Sequence, residues 1–177
     1  MPQDSSSLCL ACGLCCDGLL HHSVSVTADE AGRLRGLGVP VERSGPDAWQ
    51  FPQPCAAHTD GRCGVYGERP DNCRTYRCTL LRRVEAGAIA PGDALATIRT
   101  ARALAAECRA QAGGDGSWKS LQAAVARNWD EAGRLRGSGA VRQDGAALSA
   151  AVAALHVVLD QHFRVPAGGP TDDETGS

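Results

Sequence analysis

The spacing of its cysteines constrains this chain of 177 residues more than any other feature. Eight of the nine cysteines fall within the first 78 residues, and the cluster opens with Cys9-Leu-Ala-Cys12-Gly-Leu-Cys15-Cys16. Thiols separated by two residues can converge on one ion, because a tight turn brings both sulfurs to the same side. The cluster continues with Cys55, Cys63, Cys73 and Cys78, and the ninth cysteine is Cys108. These thiols are candidates for metal binding, for disulfide pairing or for redox chemistry.

Disulfide pairing is disfavoured by two features of the sequence. The N-terminus, Met-Pro-Gln-Asp-Ser-Ser-Ser, lacks the basic region and apolar stretch of a signal peptide. No run of about 18 apolar residues is present, so we expect no membrane-spanning helix. We therefore expect a cytoplasmic protein, in which thiols stay reduced. An odd number of cysteines also fits poorly with a closed disulfide framework.

The composition predicts a thin core that needs support from something other than large side chains. Aromatic residues make up 4% of the chain, and methionine occurs once. The free energy of binding structural zinc is on the order of 10 kcal/mol, comparable with the net stability of a domain. We therefore expect the first 80 residues to fold only with metal. The net charge of −2 and the absence of Lys or Arg runs argue against nucleic acid as a partner.

The predicted fold class is mainly α. A small, irregular, metal-stapled Cys-rich domain with a short strand or hairpin is expected over residues 8–84. An α-helical region that packs on it is expected over residues 85–164. Residues 165–177 are rich in Gly, Pro and acidic side chains, which predicts a disordered tail.

Several local patterns predict elements within the Cys-rich part. Ser23–Val26 alternates polar and apolar residues, which indicates a strand. Thr27-Ala-Asp-Glu30 is a capping box that starts a short helix. The chain from Val41 to Pro54 is expected to be irregular. Asp60-Gly61, between two cysteines, predicts a tight hairpin that brings both sulfurs to one side.

The second part of the chain shows helical periodicity. One helix is expected to follow Cys78, and others to cover residues 93–112, to begin at the N-cap Ser117, and to cover residues 144–163. Cys108 falls on an apolar helix face and is interpreted as a buried thiol. Trp118 and Trp129 are three helical turns apart and are interpreted as core anchors.

The adjacent pair Cys15-Cys16 is informative about the number of metal centres. Neighbouring side chains usually point apart, so the two sulfurs are not expected to bind one small ion side by side. Either they serve two centres, or one binds metal while the other supports it or is simply buried. Eight sulfurs match two four-thiolate sites, one iron–sulfur cluster plus one zinc, or a compact cluster with bridging sulfurs. The spacing does not partition the ligands among these arrangements.

The order of the cysteines, with Tyr66, Arg69-Pro70 and Arg74 between and around the later ones, resembles the YkgJ-type cysteine-cluster family with its CxxCxxCC signature. The resemblance covers roughly residues 8–84. It implies chelation of zinc or iron, with more than one centre as an option. The ligands it implies are Cys9, Cys12, Cys15, Cys16, Cys55, Cys63, Cys73 and Cys78. A similar cluster in a flagellin lysine methylase implies that a 4Fe–4S cluster is an option here, without implying methyl transfer.

Five further side chains are candidates for roles around these thiols. Arg74 is expected to balance thiolate charge, because a four-thiolate zinc site carries a formal −2. Tyr66 is expected to pack against neighbouring residues. His21 and His22 are interpreted as surface or hydrogen-bonded residues, although an imidazole is a common zinc ligand. His58, beside the Asp-Gly turn, is the better candidate for an alternative ligand.

The sequence favours a metal-binding function without catalysis. No nucleophile triad, glycine-rich phosphate loop or paired-carboxylate motif stands out. An all-cysteine set is closed, whereas a catalytic zinc keeps an open position. We therefore expect an accessory or interaction module whose helices cover the cluster or dock to a protein partner. The alternatives are an iron-dependent or redox enzyme and a metal carrier. The sequence leaves the metal and the oligomeric state open.

Overall fold

The computed structural model describes residues 5–135 and 144–166, and within these ranges the chain is mainly helical, which confirms the predicted fold class. The helices are α1 (Ser5–Cys12), α2 (Ala28–Gly36), α3 (Asp71–Thr75), α4 (Thr79–Glu85), α5 (Pro91–Ala112), α6 (Trp118–Leu135) and α7 (Asp144–His162). The strands are β1 (Ser23–Val26), β2 (Glu42–Arg43), β3 (Trp49–Pro52), β4 (His58–Thr59) and β5 (Arg62–Cys63). Most of the predicted tail, residues 167–177, lies outside the described residues.

A three-stranded antiparallel sheet in the order β1-β3-β2 forms one side of the Cys-rich part. The strand over Ser23–Val26 is confirmed. The expectation of irregular chain from Val41 to Pro54 is wrong, since both β2 and β3 lie there. The pairing depends on distant residues: Phe51 is buried and lies opposite Val24 of β1. A local pattern of two and four residues carries no signal for such long-range pairing.

A second, two-stranded sheet is the hairpin β4–β5, as the Asp-Gly turn predicted. Asp60 and Gly61 have positive φ angles of 51° and 74°. This backbone suits a two-residue turn that follows the twist of its strands, and it favours Gly at the second position. The turn sets the register in which His58 lies opposite Cys63.

The capping box at the start of α2 is confirmed, and it also joins two elements. The Thr27 hydroxyl accepts from the Glu30 amide at 3.3 Å, and the Glu30 carboxylate accepts from the Thr27 amide at 2.9 Å. The other Glu30 oxygen accepts from the Asp71 amide at 2.8 Å, at the start of α3. One buried carboxylate therefore holds α2 against the short helix that carries Cys73.

The larger hydrophobic cluster, called here the helical core, is shared by both parts of the chain. Helix α7 packs against α5 and α6, and α1 packs against α4 and α5. The buried members include Leu8, Leu14 and Leu19 from the N-terminal segment together with Leu121, Leu155, Leu159 and Phe163 from the helices. The N-terminal cysteines are thereby fixed to the helices. No helix within the described residues is long and apolar enough to cross a membrane.

The smaller hydrophobic cluster, called here the sheet core, lies under α2 and the three-stranded sheet. Its buried members are Val26, Ala31, Leu34, Val39 and Phe51. Five buried side chains, one of them Ala, provide little apolar area for a separate core. The sheet core therefore depends on the contacts that join it to the rest of the molecule.

The predicted helices after Cys78 are present, with small shifts at their ends. Pro91 begins α5, as is common at the first helical position. The Ser117 hydroxyl accepts from the Ser120 amide at 3.2 Å, which confirms its capping role. Cys108 and Trp118 are buried as expected, but Trp129 is 60% exposed and the prediction of a second core anchor is wrong. Among residues 118–131 of α6, the buried side chains are Trp118, Leu121 and Ala124, all in the first half of that stretch.

Replacing Glu30 by Gln is expected to lower the free energy of unfolding by about 1–3 kcal/mol, because one buried amide loses its acceptor. Burial alone raises the pKa of Glu30, but the amides of Thr27 and Asp71 outweigh it and lower that pKa below 4.5. The carboxylate therefore stabilises the fold above pH 4.5, and this contribution is lost as the pH falls through the lowered pKa.

Urea unfolding of wild type and Glu30→Gln from pH 7 downwards measures this difference in the free energy of unfolding. Loss of metal in acid affects both proteins alike and therefore cancels in the comparison. Asp29→Asn, at an exposed position in the same turn, is the control and is expected to change stability much less. A difference between wild type and Glu30→Gln that does not shrink below pH 4.5 would contradict the assignment.

Candidate metal centre

All eight clustered cysteines line one cavity of about 760 Å³. The cavity lies between the two hydrophobic clusters, since Leu80 and Phe163 of the helical core and Leu34 and Phe51 of the sheet core also contribute to its walls. All nine cysteines of the chain are free thiols. The fold thus brings together eight soft donors from segments that are up to 69 positions apart in the sequence, from Cys9 to Cys78.

Four of these thiols lie on the side of the helical core and are called here the first thiol set: Cys9, Cys12, Cys15 and Cys78. Cys12 and Cys78 pack against the helical core. Burial is the main cause of the raised pKa of the other three thiols. A negative charge on Cys78 raises each of these pKa values further, as expected for close neighbours. Cys78 stands at the N-cap position of α4, where the amides of Leu81 and Leu80 partly oppose the rise in its pKa that burial causes.

The other four thiols lie on the side of the sheet core and are called here the second thiol set: Cys16, Cys55, Cys63 and Cys73. Cys55 and Cys73 pack against the sheet core. The Cys55 amide donates to the Cys16 carbonyl at 2.8 Å, and Cys63 is carried by the hairpin. Burial is the main cause of the raised pKa of Cys16, and negative charges on Cys55, Cys63 and Cys73 raise it further. These four thiols are therefore also close to one another.

The adjacent cysteines Cys15 and Cys16 belong to different sets. A tight turn makes this possible: Gly13 and Gly18 have φ angles of 71° and 73°, and the Asp17 amide donates to the Gly13 carbonyl at 2.9 Å. A negative charge on Cys16 also raises the pKa of Cys15, so the sets are close to each other. The arrangement agrees with the two-centre interpretation of the pair. That the two thiols bind separate ions stays a prediction.

The donor set fits a soft metal in its chemistry, without a preformed coordination geometry in the described residues. Within residues 5–135 and 144–166, no three His, Cys, Asp or Glu side chains converge closely enough to hold an ion as they stand. We expect cysteine side chains to rotate between their staggered positions when metal binds. Eight thiols around one cavity, with a buried imidazole nitrogen that lacks a partner, are the donors that zinc and iron take.

Burial controls the proton affinity of these thiols. It raises the pKa of Cys12 to about 12, and neighbouring thiols add to this effect. It likewise raises the pKa of Cys16 to about 12 and that of Cys73 to about 11. A buried thiolate is unfavourable unless a cation is close, so these groups are protonated at neutral pH without metal and must lose protons to bind one.

Arginines around the cavity partly offset the thiolate charge, but Arg74 has a different role. Arg74 donates to the carbonyls of Arg69 at 2.6 Å and Gly67 at 2.9 Å, and its side chain is exposed. Arg69 opposes the rise in the pKa of Cys73 that burial causes, and Arg102 does so for Cys12. Arg69 also stacks on Tyr66, 3.6 Å from the ring centroid, so Tyr66 packs as expected.

The three candidate histidines differ in position. His22 is exposed, whereas His21 lines the cavity and lies edge-on to Tyr76 at 4.5 Å between ring centroids. Burial lowers the pKa of His21, so its neutral form is favoured. His58 lines the cavity as well, and its Nδ1 lies 2.9 Å from Asp17 Oδ1. Of the three, His58 is the best candidate for a metal ligand, because it both lines the cavity and has a carboxylate partner for Nδ1.

Sequence reasoning missed three residues beside the thiols. Tyr76 is half-buried, and its pKa is raised by burial and by the charges of Cys15 and Cys78. Asp17 bonds to His58 and also lies 3.3 Å from Arg109 of α5. The position of Asp17 directly after the paired cysteines could have indicated a role beside the thiols. No such signal was available for Arg109, which the fold brings from a distant helix.

The comparison with family models gives a match over residues 8–109, to a family described as "CxxCxxCC: putative zinc- or iron-chelating domain". The chain belongs to the CxxCxxCC family. The match extends through most of α5 and ends at Arg109, the residue that pairs with Asp17. The CxxCxxCC region therefore includes the helix that supports the cysteine turn. No curated protein and no solved structure matches this chain.

The raised thiol pKa values predict an unusual pH dependence of metal affinity. Free thiols with the ordinary pKa of 9.0 are largely deprotonated above that pH, so affinity for metal would level off there. Because burial raises several of these pKa values to about 11 or 12, the affinity for zinc is expected to keep rising above pH 9.

Competition with a colorimetric chelator between pH 7 and pH 10 measures this dependence. Cys108→Ser is the matched control, because Cys108 is buried in the helical core and does not line the cavity. A plateau at pH 9 in the wild-type protein would show that the thiols titrate as free groups.

Proposed function

We propose that this chain is a metal-binding protein with two neighbouring centres for zinc or iron, one at each thiol set. The observation that carries the proposal is that all eight cysteines line one cavity, while Cys12 and Cys78 pack against the helical core and Cys55 and Cys73 against the sheet core. Membership of the CxxCxxCC family supports zinc or iron as the metal. The division at Cys15-Cys16 supports two centres over one.

The chemistry of the donors supports metals that prefer sulfur. Thiolate-rich sites select zinc and iron–sulfur clusters, whereas magnesium and calcium prefer oxygen. Each thiol set has enough donors for a tetrahedral zinc ion or for a 4Fe–4S cluster. The arginines near Cys12 and Cys73 favour the negative charge that such a centre carries. Elemental composition and absorption near 400 nm in anaerobically purified protein separate zinc from an iron–sulfur cluster.

We further propose that the protein acts as an accessory or interaction module. A centre whose positions are all filled by protein donors leaves no position for a substrate. Helices α5, α6 and α7 bury the side of the first thiol set and leave Trp129 and Val157 on the surface. Exposed Trp is common in protein contact surfaces, which supports a protein partner for the helical region.

Replacement of the two adjacent cysteines separates the centres. Cys15→Ser is expected to lower the metal affinity of the first set by at least about tenfold and to leave the affinity of the second set unchanged. Cys16→Ser is expected to do the reverse. Cadmium-113 NMR of the full chain reports each centre by its own resonance, and each variant is expected to shift or remove a different one.

The controls follow from the structure. Cys108→Ser is expected to leave both resonances unchanged, since Cys108 does not line the cavity. Cys9→Ser and Cys63→Ser provide a second pair, one for each set, should the adjacent variants fold poorly. If Cys15→Ser and Cys16→Ser perturb the same resonance, the thiols form a single centre and the two-centre proposal is wrong.

Removal of metal is expected to unfold the Cys-rich part. Chelation under reducing conditions takes away the cation that compensates the buried thiolates and joins the two clusters. Amide hydrogen exchange is expected to lose protection over residues 8–84, with α6 and α7 affected less. A metal-free, fully reduced protein that keeps protection in β1–β3 and α2 would contradict this expectation.

A further inference from the structure

His58 is a buried imidazole with one satisfied and one unsatisfied nitrogen. Its side chain is 8% exposed, and Nδ1 lies 2.9 Å from Asp17 Oδ1. Nε2 is buried and has no hydrogen-bond partner within the part of the chain that the structure describes. An unpaired buried polar atom is unfavourable by about 1–3 kcal/mol, so its presence in a cavity wall points to a missing partner.

The ring of His58 is in contact with segments that carry both thiol sets. The ring lies against Gly13, where an added Cβ would come within 3.1 Å of Cε1 and Nε2. Gly13 belongs to the turn between Cys12 and Cys15, and the hairpin sets His58 opposite Cys63. A side chain at position 13 would therefore crowd Nε2. The φ of 71° at Gly13 independently favours glycine there.

Asp17 fixes the tautomer of this imidazole. A carboxylate accepts a hydrogen bond, so the proton lies on Nδ1 and the neutral ring has its lone pair on Nε2. Arg109 Nη2 lies 3.3 Å from the other Asp17 oxygen and holds the carboxylate in place. A histidine that donates its second N–H to a carboxylate is the usual arrangement of a metal-binding histidine.

We propose that His58 Nε2 is a nitrogen ligand of the centre at the second thiol set. The inference rests on the proposed function and names donors for one of its centres. Backbone contacts tie His58 to three thiols of that set. The His58 amide donates to the Cys55 carbonyl at 2.9 Å, the Cys55 amide donates to the Cys16 carbonyl at 2.8 Å, and Cys63 is the cross-strand partner of His58.

The second centre is thus a sulfur–nitrogen site formed by Cys16, Cys55, His58 and Cys63. Three thiolates and one imidazole are a common ligand set for a divalent cation such as zinc. Cys73, carried on the separate helix α3, is then a fifth donor beside the ion. Asp17 is a positioning residue, since it acts on the metal only through His58.

Cadmium-113 loaded into the full chain labelled with ¹⁵N-histidine tests this assignment by direct detection of the metal–nitrogen bond. One of the two cadmium resonances is expected to show coupling to a histidine nitrogen, which Cys73→Ser keeps and His58→Gln removes. His58→Gln is also expected to lower the affinity of that centre for cadmium by at least about tenfold. Asp17→Asn is expected to lower the same affinity about 10–100-fold with the coupling retained. His22→Gln, at an exposed position, is the control that keeps both signals.

The outcomes separate the inference from the function on which it rests. Two cadmium resonances without nitrogen coupling in the wild-type protein overturn the role of His58 and leave two thiolate centres standing. Coupling that survives in His58→Gln assigns the nitrogen to another histidine and also overturns the inference. Failure to bind cadmium at all contradicts the proposed function itself.

Discussion

The fold is arranged around eight thiols that share one cavity between two hydrophobic clusters. The sheet core has five buried side chains, too few to hold a separate unit by burial alone. The helical core is larger, and several of its residues, among them Leu80 and Phe163, form part of the cavity wall. Under the proposed function, a cation that binds the thiols would compensate their buried charge and connect the two clusters, so one contact would serve both metal binding and stability.

Helix α5 is the element that fixes the cysteine turn to the rest of the molecule. Arg102 donates to the Ala11 carbonyl at 2.8 Å, and Arg109 pairs with Asp17 two turns further along. Ala101 and Ala105, on the buried face of the same helix, let neighbouring helices approach closely. The small side chains at these positions, in a chain whose few large side chains predicted a thin core, thus allow close helix packing beside the cysteine turn.

The sequence predicted those features whose signal is local. The capping box at Thr27, the turn at Asp60-Gly61 and the cap at Ser117 need only a few neighbouring residues, and all three are present. The pairing of β3 with β1 and the exposure of Trp129 depend on distant elements, and both were missed. The division of the thiols was indicated by Cys15-Cys16 alone, because adjacency limits where two sulfurs point but does not say which later cysteines join each one. The bond between Asp17 and His58 joins residues 41 positions apart and had no local signal.

The two thiol sets are nested in the sequence. The second set runs from Cys16 to Cys73, and the first set encloses it with Cys15 on one side and Cys78 on the other. During synthesis, the first set cannot be completed until the inner cysteines have already left the ribosome. If each set binds its own metal as proposed, assembly of the inner site would bring the chain ends at Cys15 and Cys78 close together and remove most of the loop entropy that the outer site would otherwise have to overcome. Under that proposal, the order of residues in the chain favours an order of assembly, from the inner loop to the outer one.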